Sequence, residues 1–152
     1  MPNQKEVRLR EFAGLLSRRI DELKQPPPGA GSLKEAFRAF ADTLPTIVWT
    51  ARSDGEVTFF SKKWYDLLRQ GETPWAELVH PADVQRTTEA WRAAVESGTP
   101  FAIASRLRDV DGNYHALISH ANPVRDEAGK VAYWIGSAVE VEDSAVSLMR
   151  VA

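Results

Sequence analysis

The last third of the chain holds three apolar-rich runs separated by two short, turn-forming stretches, and this restricts that part of the molecule to antiparallel β-structure. "FAIASRLRD" (101–109) sets Phe101, Ile103, Ser105 and Leu107 against Ala102, Ala104, Arg106 and Arg108, the alternation of a strand with one polar face. "VDGN" leads into "YHALISHANPV" (114–124), and "RDEAGK" leads into "VAYWIGSAVEV" (131–141). Turns this short cannot make a parallel crossover, which needs a dozen or more residues. The three runs therefore form a meander.

Upstream, "TIVWTA" (46–51) and "VTFF" (57–60) flank the turn "SDGE" and read as a β-hairpin. Ser61 is placed to cap a short helix, "KKWYDLLRQ", that ends at Gly71. "ETPWAELV" allows one further turn. "VHPADVQRTTEAWRAAV" (79–95) then reads as a helix from Pro81 to Glu96, stopped by "SGTP". The order is two strands, a helical segment, three strands. The fold class is α+β, with one five-stranded antiparallel sheet covered on one face by helices.

At the other end, Gln4–Lys24 is an amphipathic helix with Leu9, Phe12, Leu16 and Leu23 on one stripe, Arg19 where the next apolar residue would sit and Ile20 beside it. Such a stripe is covered either by its own domain or by the same helix of a second chain, so these five apolar residues are candidates for a homodimer interface. "QPPPGAGS" mixes prolines with glycines and reads as a linker. Ser32 followed by Glu35 is a capping-box pattern opening a helix from Leu33 to Asp42. The expected division is a helix at 1–25, a linker at 26–32, a main domain at 33–143 and a tail at 144–152.

Function classes are narrowed mainly by what is missing. Nineteen basic and 21 acidic residues give a net charge of -2, without the cationic excess expected for nucleic acid or an anionic membrane. There is no cysteine, hence no disulfide and no thiolate chemistry. The charged start lacks an apolar signal core, no apolar run is long enough to span a bilayer, and a cytoplasmic location is expected. No phosphate loop, zinc-protease motif or recognisable triad occurs, so no enzymatic activity is expected.

Four phrases follow one another in the order and spacing of a known family. They are "LPTIVWTARSDGEVTFFSKKW" (44–64), "HPAD" (80–83), "RLRDVDGNYH" (106–115) and "ANPVRDEAGKVAYWIGSAVEVED" (121–143). Together they resemble a PAS domain of the type found in bacterial signalling proteins, over about residues 33–143. The resemblance implies a sensory and interaction module for signal transduction, with a pocket between sheet and helices for a small molecule or only for side chains. One departure stands out: only "RQGETPWAEL" (69–78) fills the place of a longer helical wall. That implies a pocket either small or open on that side.

The pocket candidates follow from parity and from the resemblance. They are Trp49 and Trp64; Val84, Thr87, Thr88 and Trp91 along the long helix; Ile103 and Leu107; Leu117 and Ser119; and Trp134 and Ala138 on the last strand. The five tryptophans suit core packing first, with an aromatic-lined pocket as the functional alternative. His80 reads as part of the helix start, with Pro81 in the first turn and Asp83 at the positive end of the helix dipole. Haem-binding PAS domains of the rhizobial oxygen-sensor type place their axial histidine nearer Thr87 and Thr88, which cannot ligate iron. Flavin-binding relatives need a cysteine and inner-strand amides where this chain has Leu117 and Ala138. Both cofactors are disfavoured, and no other cofactor or metal is indicated. His115 is expected near the pocket mouth and His120 on the opposite face. Partners would be a second copy, a signalling protein or a small ligand. The rival readings are a ligand-free interaction scaffold and a small α+β enzyme with a cone-shaped pocket.

Overall fold

The computed structural model describes residues 3–24, 32–142 and 144, and divides the chain into two units, residues 1–40 and 41–152. In the first unit, helix α1 (Gln4–Lys24) opens with a reciprocal cap. The Asn3 side chain accepts from the Glu6 N–H at 2.9 Å, and the Glu6 carboxylate accepts from the Asn3 N–H at 3.3 Å. Helix α2 (Leu33–Asp42) begins as its sequence indicates, the Ser32 hydroxyl accepting from the Glu35 N–H at 3.1 Å. On α1, Val7, Phe12 and Leu15 are exposed. The side chains of Leu9, Leu16, Ile20 and Leu23, and the stretch 25–31, lie outside the described residues.

The second unit is a single antiparallel sheet with three helices on one face. Its strands are β1 (Ile47–Arg52), β2 (Val57–Phe60), β3 (Phe101–Arg108), β4 (Tyr114–Arg125) and β5 (Val131–Val141), in the spatial order β2-β1-β5-β4-β3. Between β2 and β3 come α3 (Lys62–Leu68), the single turn α4 (Trp75–Leu78) and α5 (Val84–Ser97). The last strand thus occupies the middle, joining the hairpin β1–β2 to the meander β3–β4–β5.

Register sets the inner face. Trp49 pairs with Gly136 and Ile47 with Ala138 across β1 and β5, while Ser119 pairs with Ala138 and Ile103 with Ser119 further along. Paired residues share a face, so these side chains all meet the helices. Gly136 is required here for space: a Cβ would lie 2.5 Å from the His120 carbonyl oxygen and inside the Trp49 ring. The absence of a side chain leaves that space to the Trp49 indole.

The core has two centres. One gathers Ile47, Trp64, Leu68, Leu78 and Leu117; the other gathers Trp49, Trp91, Phe101, Ala121 and Trp134. Phe60 and Trp75 pack against both.

β3 is an edge strand, whose free backbone groups would otherwise invite pairing with another chain. The "HPAD" segment covers them. The His80 N–H donates to the Arg106 carbonyl at 2.8 Å, and the Arg106 N–H donates to an Asp83 carboxylate oxygen at 3.0 Å. The Arg86 guanidinium reaches the Ala104 carbonyl at 2.7 Å. Asp83, fully buried, also accepts from the Arg106 guanidinium at 2.9 and 3.1 Å.

These details correct two sequence expectations. α5 starts at Val84, with Pro81 left in a preceding turn. Asp83 is the N-cap residue of α5 but makes no side-chain cap bond, its carboxylate being taken by Arg106, because a buried carboxylate needs a countercharge more than the helix end needs a cap. Ser61 does not cap α3 either: its hydroxyl accepts from the Val48 N–H at 2.9 Å, while Asp42 accepts from the Lys62 N–H at 2.7 Å. Among the described residues, no helix is long and apolar enough to cross a membrane.

Candidate functional site

The two core centres do not close completely on each other. A cavity of ≈ 50 Å³ remains between the sheet and the helices, with walls drawn from both. Trp49 and Ala138 form its sheet floor with Ile103, Ser105, Leu107, Leu117 and Ser119. Thr87 and Trp91 border it from α5, Trp64 from α3 and Trp75 from α4, with Val57, Phe60 and Phe101 completing the wall. None of these side chains is charged.

Aromatic contacts hold the walls in place. Trp91 meets Trp49, Phe101 and Trp134 edge to face, at ring-centroid distances of 5.3, 5.1 and 5.1 Å. Its indole N–H is committed to the Gly55 carbonyl at 2.9 Å, which ties α5 to the β1–β2 turn. Gly55 sits there at φ 93°, a left-handed conformation that glycine takes without strain. Phe60 stacks on Trp64 at 3.9 Å.

Two buried polar side-chain atoms lack a hydrogen-bond partner among the described residues: the Trp134 indole nitrogen, off the cavity wall, and, on the wall, the hydroxyl of Thr87. Thr87 is 3 % exposed. Its neighbour Thr88 behaves differently, donating its hydroxyl back to the Val84 carbonyl at 2.8 Å. Ser105, 2 % exposed, and Ser119 add two more hydroxyl side chains to the same lining.

The sequence profile described as the PAS fold matches residues 57–138, more than half of the chain and all of the cavity lining except Trp49. The chain belongs to the PAS family. Similar curated proteins include an uncharacterised protein of Sinorhizobium fredii, 28% identical over 116 residues (72% of this chain, 14% of that one). The peroxide stress-activated histidine kinase mak1 of Schizosaccharomyces pombe is 29% identical over 112 residues (70% and 7%). The two-component sensor PprA of Pseudomonas aeruginosa is 27% identical over 142 residues (88% and 15%). The chain thus spans less than a sixth of the length of each. Among solved structures, the N-terminal domain of a diguanylate cyclase with PAS/PAC sensor from Marinobacter aquaeolei matches with TM-score 0.57 at 23% identity, covering 69% of this chain and 98% of that one.

The PAS domain places nine of the twelve sequence-stated pocket candidates on the cavity wall: Trp49, Trp64, Thr87, Trp91, Ile103, Leu107, Leu117, Ser119 and Ala138. The other three lie outside the lining. Val84 packs against the Leu107 cluster, Thr88 turns to its own helix backbone, and Trp134 is fully buried behind Trp91. Val57, Phe60, Trp75, Phe101 and Ser105 were missed: the first three sit on elements too short to show a period, whereas Phe101 and Ser105 share the strand alternation of Ile103 and Leu107 that could have found them.

The histidines are all accounted for without a ligand role. His80 accepts the Ala82 N–H on Nδ1 at 3.0 Å and packs on Tyr114 at 4.6 Å, holding the turn before α5. His120 is exposed on the far face, as parity requires. His115 is not part of the cavity wall; its Nδ1 lies 2.5 Å from Glu140 and its Nε2 2.8 Å from Asp109. Among the described residues no cluster of His, Asp and Glu is suited to a metal ion.

Only the imidazolium can donate to both carboxylates, since neutral imidazole carries a single N–H. Burial works against that charge, but hydrogen bonds to Asp109 and then Glu140 outweigh it and raise the His115 pKa above 6.5. Asp109 is lowered below 3.8, first by His115 and also by the Asn113 and Asp111 N–H groups, against its own burial. Arg69, 3.8 Å from Asp109 and paired with Asp111, faces the same group. A raised histidine pKa stabilises the fold fully below the unfolded value and progressively less as pH rises through the folded one. Urea unfolding should therefore show stability falling as pH climbs above 6.5. His115→Gln should flatten that fall; an equal fall in the variant would assign it elsewhere. Asp109 contributes in the opposite sense, stability above pH 3.8 that is lost on acidification.

Proposed function

We propose that this PAS domain is a sensory and interaction module of a signalling protein, located in the cytoplasm, whose cavity between sheet and helices receives a small molecule. The observation that carries this is a ≈ 50 Å³ space with an apolar wall and a buried, unpartnered Thr87 hydroxyl. Leaving a buried hydroxyl unpaired costs about 1–3 kcal/mol, a cost that a hydrogen-bonding ligand at this wall would relieve. The identity of two relatives as a histidine kinase and a two-component sensor supports the signalling role. Haem and flavin are poorly served by so small a space with no histidine, cysteine or amide on its wall.

The module works by population shift, an occupied cavity favouring one packing of helices on sheet over another. The division into helix (1–25), linker (26–32), PAS domain (33–143) and tail (144–152) suits that scheme, α1 being the element that carries association between copies. Phe12, 60 % exposed, supports this, since a large apolar side chain on a helix gains from cover. Light scattering tests it. The full chain is expected at dimer mass, whereas Phe12→Glu, or removal of residues 1–31, should shift it toward monomer. An unchanged mass in both would end the α1 interface.

A further inference from the structure

The cavity wall specifies a ligand chemistry. Resting on the reading of the cavity as a receiving site, we propose that its ligand is a small uncharged molecule with an apolar body and one hydrogen-bonding group, of the short-chain alcohol or ketone class, anchored by Thr87.

Charge is decided by the wall. No lysine, arginine, histidine, aspartate or glutamate lines the space. The buried ions nearest in the fold are already engaged, Asp83 with Arg106 and Asp109 with His115. An ionised ligand would enter without a countercharge, at a desolvation cost that apolar contact does not offset.

Size is decided by volume. An engineered apolar cavity of roughly 150 Å³ takes benzene. The space here, ≈ 50 Å³, is about a third of that and suits a molecule of a few heavy atoms.

Polarity is decided by the hydroxyls. Trp91 spends its N–H on Gly55 and Thr88 spends its hydroxyl on Val84. Thr87 retains both a donor and an acceptor function, with Ser105 and Ser119 on the same wall. One hydroxyl or carbonyl on the ligand meets this side, and its alkyl part meets the indole and aliphatic surfaces.

The experiment is an amide NMR titration of the full chain with 2-propanol and, separately, with acetate, a charged probe of matched size. Saturable shifts are expected with 2-propanol at Thr87, Trp91, Ile103, Ser105 and Leu117, and none with acetate. Thr87→Val keeps the side-chain shape and removes the hydroxyl; it should weaken 2-propanol binding roughly five- to tenfold, the worth of one buried hydrogen bond. Thr87→Ser keeps the hydroxyl and should bind as the parent does, which holds the test open if the valine variant fails to fold. No saturable shift with 2-propanol, meaning that the space holds water only, would overturn the proposal. So would equal binding of acetate, or unchanged affinity in Thr87→Val. A larger or charged molecule released from the protein on denaturation would overturn this ligand class while leaving the receiving-site reading in place. No bound probe and no released molecule would remove both.

Discussion

Asp83→Ala is expected to destabilise the PAS domain by about 3–5 kcal/mol, the cost of stranding a partly buried charge whose partner has gone. Asp83 has no exposed surface, and three hydrogen bonds from Arg106 converge on its carboxylate. The substitution leaves the Arg106 guanidinium and backbone N–H without their acceptor. It also unfastens the start of α5 from the β3 edge, so the cavity wall at Thr87 should loosen as well. Urea unfolding at neutral pH measures the loss. An apolar replacement of both partners, Asp83→Leu with Arg106→Met, should recover a substantial part of it, because well-packed apolar pairs often match buried ion pairs. A loss below about 1 kcal/mol for Asp83→Ala would mean that the pair behaves as a surface salt bridge.

The second large effect is expected at Trp91. This residue is 8 % exposed and touches Trp49, Phe101 and Trp134 with its ring faces and edges. Trp91→Ala should cost about 3–5 kcal/mol, since the space it leaves is bordered by three other rings that cannot all move in. Trp91→Phe isolates the polar part of the role. It keeps an aromatic ring against its neighbours and gives up the bond to the Gly55 carbonyl, about 1 kcal/mol plus the lost ring area. Denaturant melts give both numbers, and near-ultraviolet circular dichroism should show the indole couplings lost in the alanine variant. A cost under about 1.5 kcal/mol for Trp91→Ala would show that the aromatic cluster is not the keystone of this half of the core.

How much of this was legible beforehand follows from what local pattern can encode. Strand alternation groups Ile103 with Leu107 on one face of β3, the family resemblance turns Leu117 and Ser119 inward, and all four line the cavity. On α5 the same reasoning works for Thr87 and Trp91, four residues apart on one helical face. It fails for Thr88, which is rotated about 100° from Thr87 and so leaves the cavity face. Trp134 is inward by parity, but parity fixes a face and not a depth; Trp91 covers it. The partners of Asp83 and Ser61 were illegible for another reason. Arg106 stands 23 residues beyond Asp83 and Val48 stands 13 before Ser61. Local capping rules see only the helix that follows each residue, whereas the register of the sheet brings a stronger partner alongside. The single-turn α4 is the opposite case. Its shortness was visible in the sequence, and the small volume of the cavity accords with it.

The central claim is that the cavity receives a neutral ligand whose polar group pairs with the buried, unpartnered Thr87 hydroxyl. A high-resolution crystal structure of the full chain grown with 2-propanol measures this directly. The account predicts density for the alcohol within the aromatic wall, its oxygen about 2.7–2.8 Å from Thr87 Oγ1. A closed cavity, with the Thr87 hydroxyl turned back to the Asp83 carbonyl as Thr88 turns to Val84, would contradict it.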